Sequence, residues 1–320
     1  MNPPRVLIVK TSSMGDVVHA LPVVNDIHAH YPGALIDWLV ESPFAAIPLL
    51  HPGVRRVLAM SWRKWRGQLL RGATWRAMRA LRDDLRREPY DVTLDLQGLL
   101  KSAVWARQAG APVVGYDKRS IREPAATWLY ARGAAVSPDL HAVQRCRALA
   151  AAHLNYAMPV VAADFGLRAP APVWKPRWPN YALIIPNASR AEKLWPERHW
   201  VSVGKRMMEL GLTPVVSWGR PEEQTLAERI AASCDGDVPP FLKVGEMASV
   251  LAGAQQVVGL DTGFTHLAAA LGRPTLGIYC DHEPGQAGIS GPGRVASIGG
   301  KGQVPSRADV LALFEQQLGR

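Results

Sequence analysis

The sequence predicts an α/β protein built from two doubly wound, parallel-sheet domains that face each other across a cleft. Three observations predict this. Short continuous apolar runs alternate with helical patterns along the whole chain. The alternation is interrupted once, where four prolines fall between Ala169 and Pro179. The chain has 320 residues, more than a single hydrophobic core usually serves.

Residues 6–10 are continuous and apolar, as a strand buried on both faces must be. Val17, Val18, Leu21, Val24 and Ile27 then recur at helical spacing as far as Pro32. Strands follow at 36–40 and 54–60, an amphipathic helix is marked by Trp75, Met78, Leu81 and Leu85, and further strands lie at 92–96 and 113–116. Beyond the proline-rich segment the pattern resumes with strands at 182–185, 214–217, 257–260 and 275–279 and helices at 199–210 and 221–234. A terminal helix covers 308–318. The expected organisation is a first domain over 1–165, a linker over 166–180, a second domain over 181–305 and a terminal segment over 306–320.

With 48% hydrophobic and 20% charged residues, the composition is that of a folded chain and excludes disorder. No apolar run is long enough to cross a bilayer. The N-terminus enters a strand without a leader-like apolar segment, so a cytosolic protein is expected. Cys146, Cys234 and Cys280 are widely spaced, which argues against a disulfide framework or a zinc knuckle. The net charge of +10 calls for an anionic partner. Residues 55–88 concentrate eleven basic residues against three acidic ones, interleaved with Trp62, Trp65 and Trp75. Such a run is either a solvated helix face or a surface for an anionic lipid or acceptor. It contains no nucleic-acid reader motif.

In open α/β sheets ligands gather at the carboxyl ends of strands. Four post-strand loops therefore carry the candidate chemistry. In Thr11-Ser12-Ser13-Met14-Gly15-Asp16, Asp16 is either a helix-capping carboxylate or a general base for a hydroxyl nucleophile. The loop lacks the G-x-G-x-x-G dinucleotide fingerprint. Residues 186–196 offer N–H and O–H donors plus Lys193 to a phosphate, unless they form an ordinary polar loop. In 218–223, Glu223 is placed either to accept from a ribose diol or simply to begin a helix. The most specific stretch is 259–269, in which Asp261-Thr262-Gly263 closes a buried strand and opens an alanine-rich helix. Its free N–H groups suit a pyrophosphate, with His266 one turn on. Cys280-Asp281-His282-Glu283 has no closed metal-site spacing, and no metal is expected there.

Residues 6–16 and Asp261-Thr262-Gly263-Phe264-Thr265-His266 resemble the bacterial lipopolysaccharide heptosyltransferases, and among these the enzymes acting on Kdo-lipid A. Residues 95–102, Arg122-Glu123-Pro124, Lys193-Leu194-Trp195-Pro196 and Trp218-Gly219 fit in the same order, so the resemblance spans nearly the whole chain. It implies a GT-B fold of two Rossmann-like domains, the first for the acceptor and the second for the donor, with the terminal helix returning to the first. It implies inverting transfer of L-glycero-D-manno-heptose from ADP-heptose to a Kdo hydroxyl of Kdo-lipid A, with no cofactor. A heptose acceptor, or non-catalytic sugar-nucleotide binding, is the alternative. Asp16 matches the family's base. The donor positions fall on Ala188, Ser189, Lys193, Glu223, Leu242, Asp261, Thr262, Gly263 and His266. Ser13, Gly15, Arg63, Lys64, Gln97, Arg122 and His141 fall on the acceptor side. The implied setting is a monomer at the cytoplasmic face of the inner membrane, held to anionic lipid and not to nucleic acid. Three features depart from the family pattern: Ala188-Ser189 replaces a threonine pair, Leu242 a methionine, and residues 280–284 a Gly-Pro-Thr-Asp-Pro run.

Overall fold

The computed structural model describes residues 3–319. The chain divides between Gly166 and Leu167 into two units, each built on its own parallel sheet.

The first unit runs β1 (Arg5–Val9), α1 (Met14–Ala20), α2 (Pro22–His30), β2 (Leu35–Glu41), α3 (Ala46–Leu49), β3 (Val54–Met60), α4 (Trp62–Trp65), α5 (Gly72–Leu85), β4 (Val92–Asp95), α6 (Leu100–Arg107), β5 (Val113–Tyr116), β6 (Arg132–Ala134) and α7 (Ala142–Leu154). Its strand order is β3-β2-β1-β4-β5-β6. Val6 to Val9 of β1 are fully buried, because helices cover both faces of a parallel sheet. The winding reverses between β1 and β4, where Val9 lies in register with Asp95. The loops leaving these two strands therefore emerge side by side. A single helix over residues 17–27 was expected, but the structure divides it at Leu21. Pro22 has no N–H to continue the ladder and instead opens α2.

The second unit runs β7 (Tyr181–Ile185), α8 (Glu197–Glu209), β8 (Thr213–Val216), α9 (Pro221–Ser233), α10 (Val244–Gly253), β9 (Gln256–Leu260), α11 (Gly263–Ala270), β10 (Thr275–Tyr279), β11 (Val295–Gly299) and α12 (Arg307–Leu318). The order is β11-β10-β9-β7-β8, and the reversal falls between β7 and β9. Both β7 and β9 are buried throughout, and Ile185 is in register with Gly259. The edge strands β6 and β11 have no apolar run to announce them, since neither has a fully buried residue.

The terminal helix α12 packs on the second unit. Val310 and Phe314, one turn apart on α12, are fully buried in the core of the second unit with Trp200, Met207 and Ile278. The Gln256 amide donates to Phe314 O at 3.0 Å, and Arg206 pairs with Glu315 at 2.8 Å. The helix's apolar stripe is thus used within the second unit. Residues 156–180 contain no helix or strand, an irregular run that begins earlier than the expected linker.

The basic segment is less uniform than its composition implied. Arg55 and Arg56 reach the fully buried Asp37 at 2.9 and 3.1 Å, and Arg55 also pairs with Glu88 at 2.6 Å. These two arginines neutralise an interior carboxylate and are not part of a free cationic face. No described helix is long and apolar enough to cross a membrane.

Candidate active site

In the first unit, Asp16 occupies the third position of α1. Its Oδ2 accepts from the Ser13 N–H at 2.7 Å and the Ser13 hydroxyl at 2.9 Å. Asp16 thus helps to cap the helix, as the third residue of a capping box whose N-cap is Ser13 and not as the N-cap itself. Asp16 remains half-buried at the helix end, so the cap does not remove it from solvent contact.

The loop before Asp16 is held from β4. Gln97 Oε1 accepts from the N–H groups of Thr11 at 2.8 Å and Ser12 at 3.0 Å. Gln97 is fixed in turn by Asp95, whose Oδ1 accepts from the Gln97 and Gly98 N–H groups at 2.9 and 3.2 Å. Asp95 Oδ2 accepts from Ser102 and Tyr130 hydroxyls, each at 2.8 Å. Full burial pushes the Asp95 carboxyl up, and these four donors work against that shift. Gly98 has φ +70, and a Cβ there would stand 3.1 Å from Ile121 Cγ1, so the loop needs glycine. Gln97, expected on the acceptor side, thus spends its side-chain oxygen on the neighbouring backbone.

Cations surround this loop. Lys101 Nζ donates to Ser12 Oγ at 3.0 Å, and Lys10 Nζ to Leu96 O at 2.9 Å. Glu41, at the end of β2, is 1% exposed. Burial raises its carboxyl, opposed by the charges of Lys101 and Arg63, and this links Arg63 on α4 to the same neighbourhood. Arg63 also lies 5.6 Å over the Phe44 ring. Arg122 is exposed between Ile121 and Glu123, both of which touch the Gly98–Leu100 backbone. His141 caps α7 by accepting from Val143 N at 3.3 Å and stands 5.4 Å edge-on to His19, one turn after Asp16. Gly15 lies half-buried in the first turn of α1, and Lys64 is exposed on α4. Lys10, Glu41, Asp95 and Lys101 also belong to this neighbourhood, although none was a candidate from sequence. Three of these lie inside the quoted motifs, and Glu41 had the signal of ending a strand.

In the second unit, the loops after β7 and β9 meet at the sheet's reversal. Lys193 Nζ donates to Asp261 Oδ2 at 2.5 Å, while His266 Nε2 lies 3.2 Å from Asp261 Oδ1. Burial alone would raise the Asp261 carboxyl. The hydrogen bonds and charges of His266 and Lys193 outweigh it and hold the group well below the usual carboxylate range. Asp261 thereby fixes two cationic or N–H donors beside the N-terminus of α11. There, Thr265 and His266 N–H groups already bond Thr262 O, and the Gly263 and Phe264 N–H groups have no partner within the helix. A Cβ on Gly259 would stand 2.5 Å from Thr265 Oγ1 and 2.8 Å from Ile185 Cβ. Glycine lets the helix begin this close to the strand.

The remaining donor-side candidates form a second group. Glu223 Oε2 accepts from Gly219 N at 3.0 Å and Arg220 N at 3.2 Å, and Oε1 pairs with Arg220 at 2.7 Å. It is a capping carboxylate with acceptor capacity left over. Trp218 donates to Pro239 O at 2.8 Å and stands 5.8 Å from the Phe241 ring. Leu242 is buried, whereas Phe241 is 55% exposed and presents the apolar surface of that loop. Ala188 packs against the core and Ser189 is exposed. Among the described residues no group of three His, Cys, Asp or Glu side chains is arranged to hold a metal ion.

Two Rossmann-type units, each with polar loops gathered at its topological switch point, define a nucleotide-binding α/β protein of the GT-B class. Residues 78–307 match the sequence profile of glycosyltransferase family 9 (heptosyltransferase), and the chain belongs to that family. It is 42% identical to lipopolysaccharide heptosyltransferase 1 of Pseudomonas aeruginosa over 91% of this chain and 82% of that protein. The enzyme of the same name from Escherichia coli K12 is 38% identical over 89% of this chain and 90% of its own. The structure of E. coli heptosyltransferase WaaC with ADP superimposes with a TM-score of 0.90 at 35% identity, covering 98% of this chain and 99% of that one. WaaC with ADP-2-deoxy-2-fluoro heptose gives 0.88 at 35% identity, with the same coverage of 98% and 99%.

Proposed function

We propose that this enzyme transfers L-glycero-D-manno-heptose from ADP-heptose to a Kdo hydroxyl of Kdo-lipid A, with inversion at the anomeric carbon. The observation that carries the reading is the Lys193–Asp261–His266 cluster at the N-terminus of α11, together with the similarity to heptosyltransferases solved with ADP and with an ADP-heptose analogue. The acceptor oxygen forms a bond to the anomeric carbon as the bond from that carbon to the β-phosphate oxygen breaks. ADP leaves with the electron pair, and Asp16 takes the hydroxyl proton. Lys193, Ser189, His266 and the N–H groups at Thr262 and Gly263 stabilise charge growing on the pyrophosphate. Glu223 accepts from the ribose, and Ala188 and Leu242 line the nucleotide's apolar side. Arg63, Lys64, Arg122 and His141, with Ser13 and Gly15, meet the acidic acceptor. The reaction needs no metal or other cofactor, because these donors supply the charge neutralisation.

The enzyme works as a monomer at the cytoplasmic face of the inner membrane, drawn there by its basic segment. The decisive experiment supplies ADP-heptose with Kdo-lipid A, and in parallel with an already heptosylated acceptor. Consumption of Kdo-lipid A supports the reading; consumption of the heptosylated acceptor alone overturns it. Asp16→Ala should lower kcat by ~10²–10⁴ while the protein stays folded, and a near-normal kcat would remove Asp16 from the chemistry.

A further inference from the structure

Between α4, α5 and α6 of the first unit lies a groove of about 660 Å³, within the ~300–1,000 Å³ range of small-molecule sites. Its walls are apolar and aromatic: Trp62, Trp75, Met78, Val104 and Trp105. Trp105 forms the floor, 5.4 Å from the Trp65 ring. The helices are held from below by other residues. Leu81 and Leu85 of α5 are buried in the core, which leaves Trp75 and Met78, three residues apart, to line the groove.

The rim is exposed and apolar where solvent alone would favour polar residues. Trp75 is 57% exposed, Val104 is 44% exposed and Leu70 is fully exposed. The Trp75 indole donates to Leu69 O at 2.7 Å, which fastens the Leu69-Leu70 turn beside the groove mouth. Single exposed apolar residues are ordinary, but a cluster around an apolar groove is not.

The charge around it has one sign. From Trp62 to Arg82 there are seven Lys or Arg residues and no Asp or Glu. Arg63, Lys64, Arg66, Arg71, Arg76 and Arg79 form no ion pair with a described residue. Arg76, Arg79 and Arg82 stand directly on the groove. Aromatic and leucine side chains next to unpaired cations are the composition of an element that lies in the interface of an anionic bilayer.

We infer that this groove and the Leu69-Leu70 turn are a bilayer-docking site, which seats an acyl chain of an anionic phospholipid while the arginine rim meets the headgroup phosphates. The site rests on the proposed work at a membrane face; it adjoins α4, whose Arg63 and Lys64 are assigned to the acceptor, but none of its lining residues is a candidate sugar-binding residue. Leu70 and Trp75 sit at the depth where headgroups give way to acyl chains, and Arg76 and Arg79 extend back to the phosphate layer.

The test uses the full chain and vesicles that contain no Kdo-lipid A: phosphatidylcholine alone, or mixed with phosphatidylglycerol whose acyl chains are brominated. Binding to the mixed vesicles only is expected, with tryptophan emission quenched by the brominated chains and the quench largely lost in Trp75→Phe. Leu70→Glu should weaken partitioning ~10-fold or more, and its turnover on a deacylated, water-soluble acceptor should equal wild type. Leu70 is fully exposed, so the variant has no core contact to lose. Binding without quenching beyond that of Trp75→Phe, unchanged partitioning of Leu70→Glu, or binding to RNA in place of vesicles would each overturn the site. Wild-type turnover is measured independently. Absence of heptose transfer with intact quenching rejects the proposed reaction and leaves the docking site standing; normal transfer without quenching does the reverse.

Discussion

Lys193 and Asp261, 68 residues apart, are joined by a 2.5 Å hydrogen bond between Nζ and Oδ2. Their side chains are 17% and 12% exposed. A pair this sheltered is more than surface decoration, and it sets the cationic edge of the α11 N-terminus. Lys193→Met leaves Asp261 with His266 as its remaining side-chain partner. The expected cost is about 2 kcal/mol of stability, read as a fall in melting temperature. The variant should also bind ADP ~10–100-fold more weakly by calorimetry, since a point charge at the phosphates is lost. Unchanged ADP affinity would show that Lys193 serves the fold alone.

Gln97 acts on the reaction through the backbone it holds. Gln97→Leu leaves the Thr11 and Ser12 N–H groups without their acceptor, at about 1–3 kcal/mol for a buried donor. We expect a lower kcat with ADP affinity unchanged, because the donor loops belong to the other unit. Gln97→Glu keeps an acceptor oxygen in place and should recover much of the rate. If the leucine variant retains wild-type kcat, the brace is not needed for catalysis.

Gly259→Ala places a methyl group where Thr265 Oγ1 and Ile185 Cβ already stand. The overpacking should cost about 1–3 kcal/mol and move the start of α11. Weaker ADP binding with normal vesicle binding is the expected pattern, measured by titration and flotation.

His51 gives the stability a pH dependence. Burial, aided by the nearby His28, pushes its imidazole down from 6.5 to about 4, and Asp164 opposes this only in part. The Nδ1 atom accepts from Gly53 N at 3.0 Å, while Nε2 is buried without a partner. Below pH 6.5 the unfolded chain takes up a proton that the folded one refuses until pH nears 4, so stability falls across that window as pH drops. The full effect is about 3 kcal/mol. Melting temperatures measured from pH 7 to 4 should fall more steeply for wild type than for His51→Gln, and parallel curves would refute the assignment.

Much of the fold was legible because buried parallel strands are chemically conspicuous. The runs beginning at Val6, Val92, Ala182, Val257 and Thr275 all became strands, four of them within the two central regions where the windings reverse. The edge strands β6 and β11 were illegible because half-exposed residues carry no apolar signal. The break at Leu21 was written in Pro22 but masked by a hydrophobic period that runs through it. The motifs pointed to loops that leave buried strands, and the structure brings Lys193, Asp261 and His266 of those loops into contact.

The sequence by itself determined the α/β class, the two-unit organisation, and the identity of the loops bearing Asp16, Lys193, Asp261 and His266. Each of these depends on local composition and spacing, which a linear chain displays. Only tertiary structure decided which side chains would meet. It turned Gln97 toward the backbone of Thr11 and Ser12, and it gave Arg55 and Arg56 to Asp37. It placed α12 in the second core, and it opened a groove beside Trp75. These outcomes depend on which strands become neighbours and which faces the helices bury, and partner choice over tens of residues leaves no trace in local pattern.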